Sequence, residues 1–592
     1  MADHYADVAI VGAGIAGSIV AYQLGKCGID VLLIESGPAV LPSRESEVER
    51  YYTAVDKFPE TPYAVNVNAP NARVEHLFKS VWQDVKKTYL DQSESPLPFG
   101  STYERRAGGT VWHWLGTSLR LLPNDFRLKT QYGVGDDWPI SYDDLGQPQS
   151  GRVKSYYRLA EEEIGVAADV KEQQYLGLTF EDGYQYPNPA ISGTCTDEFF
   201  RKPLADGKTT FDGCKVVVSP TPAGRQSVPT LTRRACAGNT SCVPICPIQA
   251  KYDPTLTLHK AFSTGHVHAL FQAVASEVIL DAHHQKVMGI KVIRYSDAAV
   301  VSRCGEDTVR AKIYVLAGNA IETPKLMLMS NLPNPNIGKY LMDHPYYLRW
   351  GLTPNPTWPY RGPLSTSGIE SLRDGKFREK RAAFRVELGN EGWNLTINDP
   401  QTTALDLIDG TDDSHTNRDR LKFHGRQLME ELNKRFRSQC RIGFLIEQTA
   451  DRNNAVTLSD QSDGLGLPRP KITYSFSDYT MRGFLAARQF TDQLFKLLKI
   501  ECKSQPRGLA GAFRFDAEDF EYLGAGHVIG TYRMGTTRDN SVVDKFQRCW
   551  EHENLYLVGS GVFPTSGTAN PTLTLAALSF WAADTIAKKL HK

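Results

Sequence analysis

DVAIVGAGIAGSIVAYQLGKCGIDVLLIES, residues 7–36, decides the fold. A short apolar run ends in a glycine turn, a helix-spaced segment follows, and a second apolar run stops at Glu35, which makes a complete βαβ unit. Gly12 permits the tight turn. Gly14 lets the backbone approach a pyrophosphate at the helix N-terminus, and Gly17 lets the helix pack closely on the strand. Glu35 is placed to accept hydrogen bonds from an adenosine ribose and to disfavour a 2′-phosphate. The unit therefore predicts a site for FAD or NAD rather than NADP, as opposed to a structural glycine turn.

Three later stretches favour FAD, which must be enclosed along its isoalloxazine and ribityl chain as well as its ADP half. RRAGGTVWHWLGTSLRLLPNDF (105–126) is a glycine loop with aromatics and carries Gly108, Gly109 and His113. TVRAKIYVLAGNAIETPKLMLMS (308–330) reads as an apolar strand, a small-residue turn and a helix. NLYLVGSGVFPTSGTANPTLTLAALSFWAADTI (554–586) repeats that arrangement with Gly559 and Thr572. Gly108, Gly109, Gly559 and Thr572 are thus candidate cofactor contacts, and both chain ends are expected to converge on one dinucleotide site.

Composition excludes several alternatives. Over 592 residues, Lys+Arg and Asp+Glu balance at 67 each, with 41% hydrophobic and 23% charged residues. This is a globular chain with no electrostatic cause to bind nucleic acid. The most apolar tail, LTLAALSFWAADTIAKKL, is interrupted by polar residues and too short for a bilayer, so it reads as a buried helix and no membrane span is expected. MADHYADVAIVGAG enters a strand with no basic n-region or cleavage site, so no export signal is expected. That argues against a disulfide scaffold for the ten cysteines.

Three of the ten crowd into CAGNTSCVPICP, residues 236–247. Cys236, Cys242, Cys246 and Pro247 follow a bacterial ferredoxin spacing with Asn239 in place of its second cysteine. Three thiolates and no fourth close by suggest a 3Fe-4S cluster. Zinc prefers four ligands and closely spaced cysteine pairs. Buried free thiols or a disulfide are the plainer alternatives, and Cys195 or Cys214 upstream could supply a fourth ligand.

With LMDHP (341–345) and HVIGTYRMG (527–535), these stretches resemble the glucose-methanol-choline (GMC) oxidoreductases, FAD flavoproteins that oxidise alcohols and sugars. Within that family the chain looks most like the FAD catalytic subunits of bacterial glucose, fructose, gluconate and glucoside dehydrogenases. Flavin-dependent alcohol oxidation needs a base for the hydroxyl proton and a hydride acceptor at flavin N5, and histidine suits the base. The resemblance assigns His527 as that base and Asn570 as its partner, which orients the substrate hydroxyl. His113 falls where some members bond histidine to the flavin C8-methyl group and others hold FAD noncovalently. His344 is expected to be structural rather than a second base. The resemblance also implies the 3Fe-4S cluster, a small export-signal-bearing subunit and a multihaem cytochrome acceptor, which fits assisted export to the periplasm; a cytoplasmic enzyme fits equally.

The expected fold is α/β, the GMC fold, with a Rossmann-like FAD-binding domain interleaved with an antiparallel-sheet substrate domain. Residues 1–45, 95–125, 230–345 and 520–592 are assigned to the first, and 126–229 and 346–519 to the second. FRVELGNEGWNLTI (384–397) and PKITYSFSD (470–478) alternate like strands. DYTMRGFLAARQFTDQLFKLLKI (478–500) reads as an amphipathic helix and 414–438 as a charged one. GQPQSGR (146–152) is expected as an inserted loop near the substrate entrance. The expected activity is oxidation of a sugar, glycoside or polyol hydroxyl with electrons leaving through the cluster. An oxygen-using oxidase and a non-catalytic electron-carrier flavoprotein are the alternatives.

Overall fold

The computed structural model describes residues 2–39, 44–53, 89–101, 103–149, 151–238, 242–243, 245–296, 303–359, 361–390, 400–410, 422–504 and 511–591. Among these, the largest sheet has seven strands. Asp3–Val11 lies between Val31–Ile34 and Arg303–Leu316, flanked by Val267–Leu270 on one side and Leu555–Leu557 on the other, all in parallel pairing. Their apolar runs are continuous because helices cover parallel strands on both faces. Arg303–Leu316 pairs with three strands. Its second half joins the parallel sheet, while its first half pairs antiparallel with Val287–Tyr295, which pairs with Ala273–Leu280.

The helix Ile15–Lys26 buries Ile15, Ile19, Val20 and Leu24 and packs against the C-terminal helix Thr572–Leu590. Gly12 and Gly17 are steric requirements. At Gly12, φ is +102° and a Cβ would stand 2.6 Å from the Ala317 carbonyl oxygen; at Gly17 a Cβ would stand 2.0 Å from the Gly12 oxygen. The turns at Gly12, Glu35, Ala317–Gly318 and Gly559 all follow the carboxyl ends of parallel strands. That edge is where open α/β sheets bind ligands.

A second sheet has six antiparallel strands, in the order Glu501–Cys502, Tyr346–Leu352, Gln439–Ile446, Phe384–Gly389, Ser367–Ile369 and Ser219–Pro220. Its two central strands alternate. Phe384, Val386, Leu388, Ile442, Phe444 and Ile446 form one face, on which the helix Asp478–Leu498 packs. Arg385, Glu387 and Arg441 point the other way and are nonetheless buried.

Several local expectations need adjustment. The strand read at 384–397 spans Phe384–Gly389, and 391–397 lies outside the described residues. The strand read at 470–478 is Pro468–Thr473. The charged helix is Gly425–Ser438, and 414–421 lies outside the described residues, as does Asn239. The 146–152 loop is not at the site: none of its described residues lines the cavity described below, and its Arg152 pairs with Asp584. Asp584 is 12 residues along the C-terminal helix from Thr572, roughly 18 Å at 1.5 Å per residue. No helix among the described residues is long and apolar enough to cross a membrane.

Candidate functional site

A cavity of about 710 Å³ runs from the glycine fingerprint to the second sheet. Its lining includes Gly12, Gly14, Glu35, Gly109, His113, His527, Gly559, Asn570 and Thr572. Gly17 and Gly108 do not line it. Gly17 packs helix on strand, and Gly108, at φ +93°, donates its N–H to the Ala13 oxygen at 3.0 Å and so moors the 105–112 loop to the fingerprint turn.

The dinucleotide end fits FAD on its own geometry. A Cβ on Gly14 would meet nothing within 4 Å, so the fold does not demand glycine there, whereas a close-lying phosphate would. The helix behind it has no side-chain cap and no acidic residue in its first turn, which leaves its amides and positive dipole end for an anion. Glu35 accepts the Ala13 and Gly37 N–H groups, each at 2.8 Å, one per oxygen, and keeps acceptor capacity at the cavity wall. His113 stands with Nε2 3.4 Å from the Glu104 carboxylate.

At the reacting end, a hydrogen-bond chain fixes the state of His527. The Gly567 carbonyl can only accept, so His344 Nε2, 3.0 Å away, carries a proton. Burial holds the pKa of His344 down to about 4, so the ring is neutral and its Nδ1 is an acceptor. His527 Nδ1, 3.0 Å from that atom, must then donate. Burial, with His344 and Arg385 nearby, holds His527 well below the usual imidazole range, so its Nε2 is a bare lone pair. The Asn570 side-chain amide donates to that Nε2 at 3.1 Å, and its oxygen lies 3.5 Å from Arg385 Nη1. Both ends of the chain require the same tautomer.

Asp343 holds this arrangement together. Its Oδ1 accepts the main-chain N–H of His344 at 2.7 Å and of His527 at 3.2 Å, and its Oδ2 accepts Ala525 N–H at 3.3 Å and the Ser101 hydroxyl. Burial raises its pKa to about 7 despite these donors. His344, expected to be structural, is thus in direct contact with the candidate base. Sequence reading missed Asp343 and Ser101, and it missed Tyr346, Glu387 and Arg441, which line the substrate end of the cavity. A usable signal was Gly443 inside a strand: a Cβ there would stand 1.9 Å from the Tyr346 hydroxyl, so the glycine makes room for that ring.

The cysteine segment borders the same cavity. Val243 lines it, Ile245 packs on Trp112, and Lys251 Nζ donates to the carbonyls of Trp112, Trp114 and Cys242 at 2.6–2.8 Å. All ten cysteines are free thiols, with Cys242 and Cys246 buried and Cys236 partly so, which sets aside a disulfide. No three His, Cys, Asp or Glu side chains among the described residues group to hold a metal ion. Neither a preformed zinc site nor a preformed iron site is seen among the described residues. Cluster thiolates each bind a different iron and surround a group instead of meeting at a point. Two observations fit an anionic group beside them. Arg225 and Lys251 are buried and act electrostatically on Cys242, and Nε and Nη1 of Arg225 have no hydrogen-bond partner among the described residues. Cys214 lies elsewhere, against the Asp374 carbonyl, and Cys195 is exposed.

Two family models described as GMC oxidoreductase match residues 219–346 and 450–579, and one described as NAD(P)-binding Rossmann-like domain matches 10–52. The chain is 31% identical to the fructose dehydrogenase large subunit of Gluconobacter japonicus, over 99% of this chain and 98% of that one. It is 24% identical to a 2-methyl-1,2-propanediol dehydrogenase of Mycolicibacterium austroafricanum, over 98% and 95% of the two chains. It is 23% identical to a C-glycoside 3-oxidase of Microbacterium trichothecenolyticum, over 99% and 97%. Among solved structures, a pyridoxine 4-oxidase from Mesorbium loti superposes with a TM-score of 0.60, 17% identity and 99% coverage of both chains, a likeness of fold.

Proposed function

We propose, from the premise that this chain belongs to the GMC oxidoreductases and is an FAD-dependent enzyme acting on CH–OH donors, that it is a dehydrogenase of a sugar, glycoside or polyol. The observation that carries this reading is the bare His527 Nε2, oriented by Asn570 at 3.1 Å on the wall of a cavity that begins at the glycine fingerprint. Bound FAD supplies the hydride acceptor at N5. Gly12, Gly14, Glu35, Gly109, Gly559 and Thr572 would hold it, with His113 packed against the flavin.

His527 Nε2, kept unprotonated at neutral pH by burial, takes the proton of the substrate hydroxyl when that hydroxyl displaces the Asn570 amide from its lone pair. Asn570, which cannot act as a base, aims that hydroxyl. The first-turn amides behind Thr572 present a helix N-terminus, whose dipole favours negative charge at the flavin end of the cavity.

Cys236, Cys242 and Cys246 would hold a 3Fe-4S cluster, whose chemistry is to accept electrons singly and so to suit a haem-protein acceptor. The cysteine spacing, the contact of the segment with the cavity wall and the buried Arg225 and Lys251 support that assignment. A small subunit with an export signal and a cytochrome complete the proposed assembly, an inference from the relative named as a large subunit. That assembly would place this chain in the periplasm by co-export.

Anaerobic titration with a sugar and polyol panel, followed at the flavin bands and then opened to air, tests the reading. Bleaching by a sugar, slow recovery in air and fast recovery with a one-electron acceptor are expected. Air oxidation faster than the one-electron route would make the chain an oxidase, as one relative is named. Iron analysis and low-temperature EPR of anaerobically prepared protein test the cluster. FAD-replete protein with no iron, or a Cys242→Ser variant with unchanged iron, would leave the thiols structural.

A further inference from the structure

The second sheet poses a question that the flavin chemistry leaves open. Its central strands alternate as a half-solvated sheet should, yet the polar face is as buried as the apolar one. Burying charges without use is costly, and such groups are retained where they are paired and serve a function. Here they are paired, and Glu387 and Arg441 line the cavity with Arg385 beside them. Glu387 Oε1 accepts from Arg441 Nη2 at 2.8 Å and from the Ser365 hydroxyl. Arg385 Nε donates to Glu370 at 2.8 Å and its Nη2 to the Thr221 hydroxyl at 3.1 Å.

Two geometric facts narrow what this wall can take. The first is acceptor capacity. Among the described residues, Glu387 Oε2 has only the long 3.4 Å contact to Arg385 Nη1, which leaves it able to accept a hydroxyl from the cavity. The same Nη1 lies 3.5 Å from Asn570 Oδ1, so the two oxygens are within about 7 Å of each other. That is the reach of hydroxyls on neighbouring carbons of one sugar, one held at His527 and Asn570 and another at Glu387. The second fact is charge. Arg385 and Arg441 are matched by Glu370 and Glu387, and behind them Arg373 and Arg378 are matched by Asp125 and Glu447. Among the described residues the arginines of this wall are matched, Arg225 lies behind it on the Leu364 and Ser365 carbonyls and does not line the cavity, and His527 at the reacting end is neutral.

We propose, resting on the reading of the chain as a sugar or polyol dehydrogenase, that the Glu387–Arg441 pair selects the substrate: an uncharged polyol bound through a hydroxyl near the reacting one, with sugar acids and sugar phosphates rejected. Glu387 accepts that second hydroxyl. Its carboxylate stays ionised because, although burial alone would raise its pKa, Arg441 and Arg385 bring it down to about 2. An aldonate carboxylate placed here would meet Glu387 with no unmatched arginine to answer it.

The test is flavin reduction by FAD-replete protein with matched pairs: D-glucose, D-fructose and sorbitol against D-gluconate and glucose 6-phosphate. At least one neutral compound should exceed every anion by a hundredfold or more in the second-order rate constant of reduction. In Glu387→Gln, which removes the negative charge, the neutral rate should fall roughly 10- to 100-fold and the neutral-to-anion ratio should narrow. Reduction by gluconate or the sugar phosphate at a rate equal to or above that of the fastest neutral compound overturns the proposal while leaving the dehydrogenase reading intact. An unchanged ratio in a Glu387→Gln protein that binds FAD and melts cooperatively also overturns it. If no sugar or polyol bleaches the wild-type flavin, the underlying dehydrogenase reading fails first. The wild-type comparison decides the matter even if the variant does not fold.

Discussion

Replacing His344 tests the tautomer argument most directly. Its Nδ1 is the acceptor that keeps the proton on His527 Nδ1 and off Nε2, across 3.0 Å. One neutral hydrogen bond is worth about 1 kcal/mol net, and 1.36 kcal/mol is a factor of ten. His344→Ala therefore removes most of the bias that leaves Nε2 bare, and lets the ring tilt away from Asn570. It also strips its partner from the buried His527 Nδ1–H, at about 1–3 kcal/mol, while the Gly567 carbonyl keeps the Ser566 hydroxyl at 3.1 Å. The expected result is a flavin-reduction rate down about fivefold from the lost bond alone and by up to roughly 100-fold with the tilt, FAD still bound, and a lower melting temperature. His344→Asn, whose side-chain oxygen can still accept from His527, should recover most of the rate but not all of the stability. Rapid-mixing reduction under anaerobic conditions, with FAD content measured on each sample, reads the rate. Nitrogen NMR of labelled histidine reads the tautomer. A folded, FAD-replete Ala variant with the wild-type rate would refute the relay.

Three further outcomes are expected. Gly14→Ala should fold with unchanged stability, since its Cβ has open space, but bind FAD on the order of tenfold or more weakly. Gly17→Ala, whose Cβ would strike the Gly12 oxygen, should fail to fold; thermal melting and flavin titration separate the two. For pH dependence, unfolded His344 takes a proton below about 6.5 whereas the folded ring resists until about 4, so stability is lost as pH falls through that window, by about 3 kcal/mol in full. Asp343, raised to about 7 in the fold, works in the opposite sense, so Asp343→Asn should make the melting temperature rise more steeply between pH 4.5 and 6.5 than in wild type. Acid precipitation should release yellow flavin into the supernatant if His113 only packs against it; flavin fluorescence that stays with the protein band would show a covalent bond instead.

The fold was largely legible because its deciding features are local. Strand, turn, helix and acidic residue lie within 30 residues at 7–36, and each glycine has a steric or ligand reason that one side chain at a time can reveal. His527 and Asn570 were legible only by resemblance. Nothing in either local sequence says that Nε2 is unprotonated, because the atom that settles it belongs to His344, 183 residues away from His527. A histidine beside Asp and Pro in LMDHP reads as structural, and in the backbone sense it is: Asp343 binds the main chain of both histidines.

The substrate wall was illegible for a different reason. Alternation in FRVELG and QCRIGFLI predicts strands with one apolar and one polar face, and by default the polar face is taken to meet water. Period-two patterning reports which side chains share a face, but not what lies across from it. Here the polar face meets the flavin-site cavity, and its charges survive burial because the arginines and glutamates come interleaved: Arg385 and Glu387 on one strand, Arg441 beside them on the next. The glycine that accommodates Tyr346, and Gly389, which makes room for Arg441, are traces of this in the sequence. A polar sheet face combined with an unexplained mid-strand glycine is thus a reason to look for a ligand there before assigning the face to solvent.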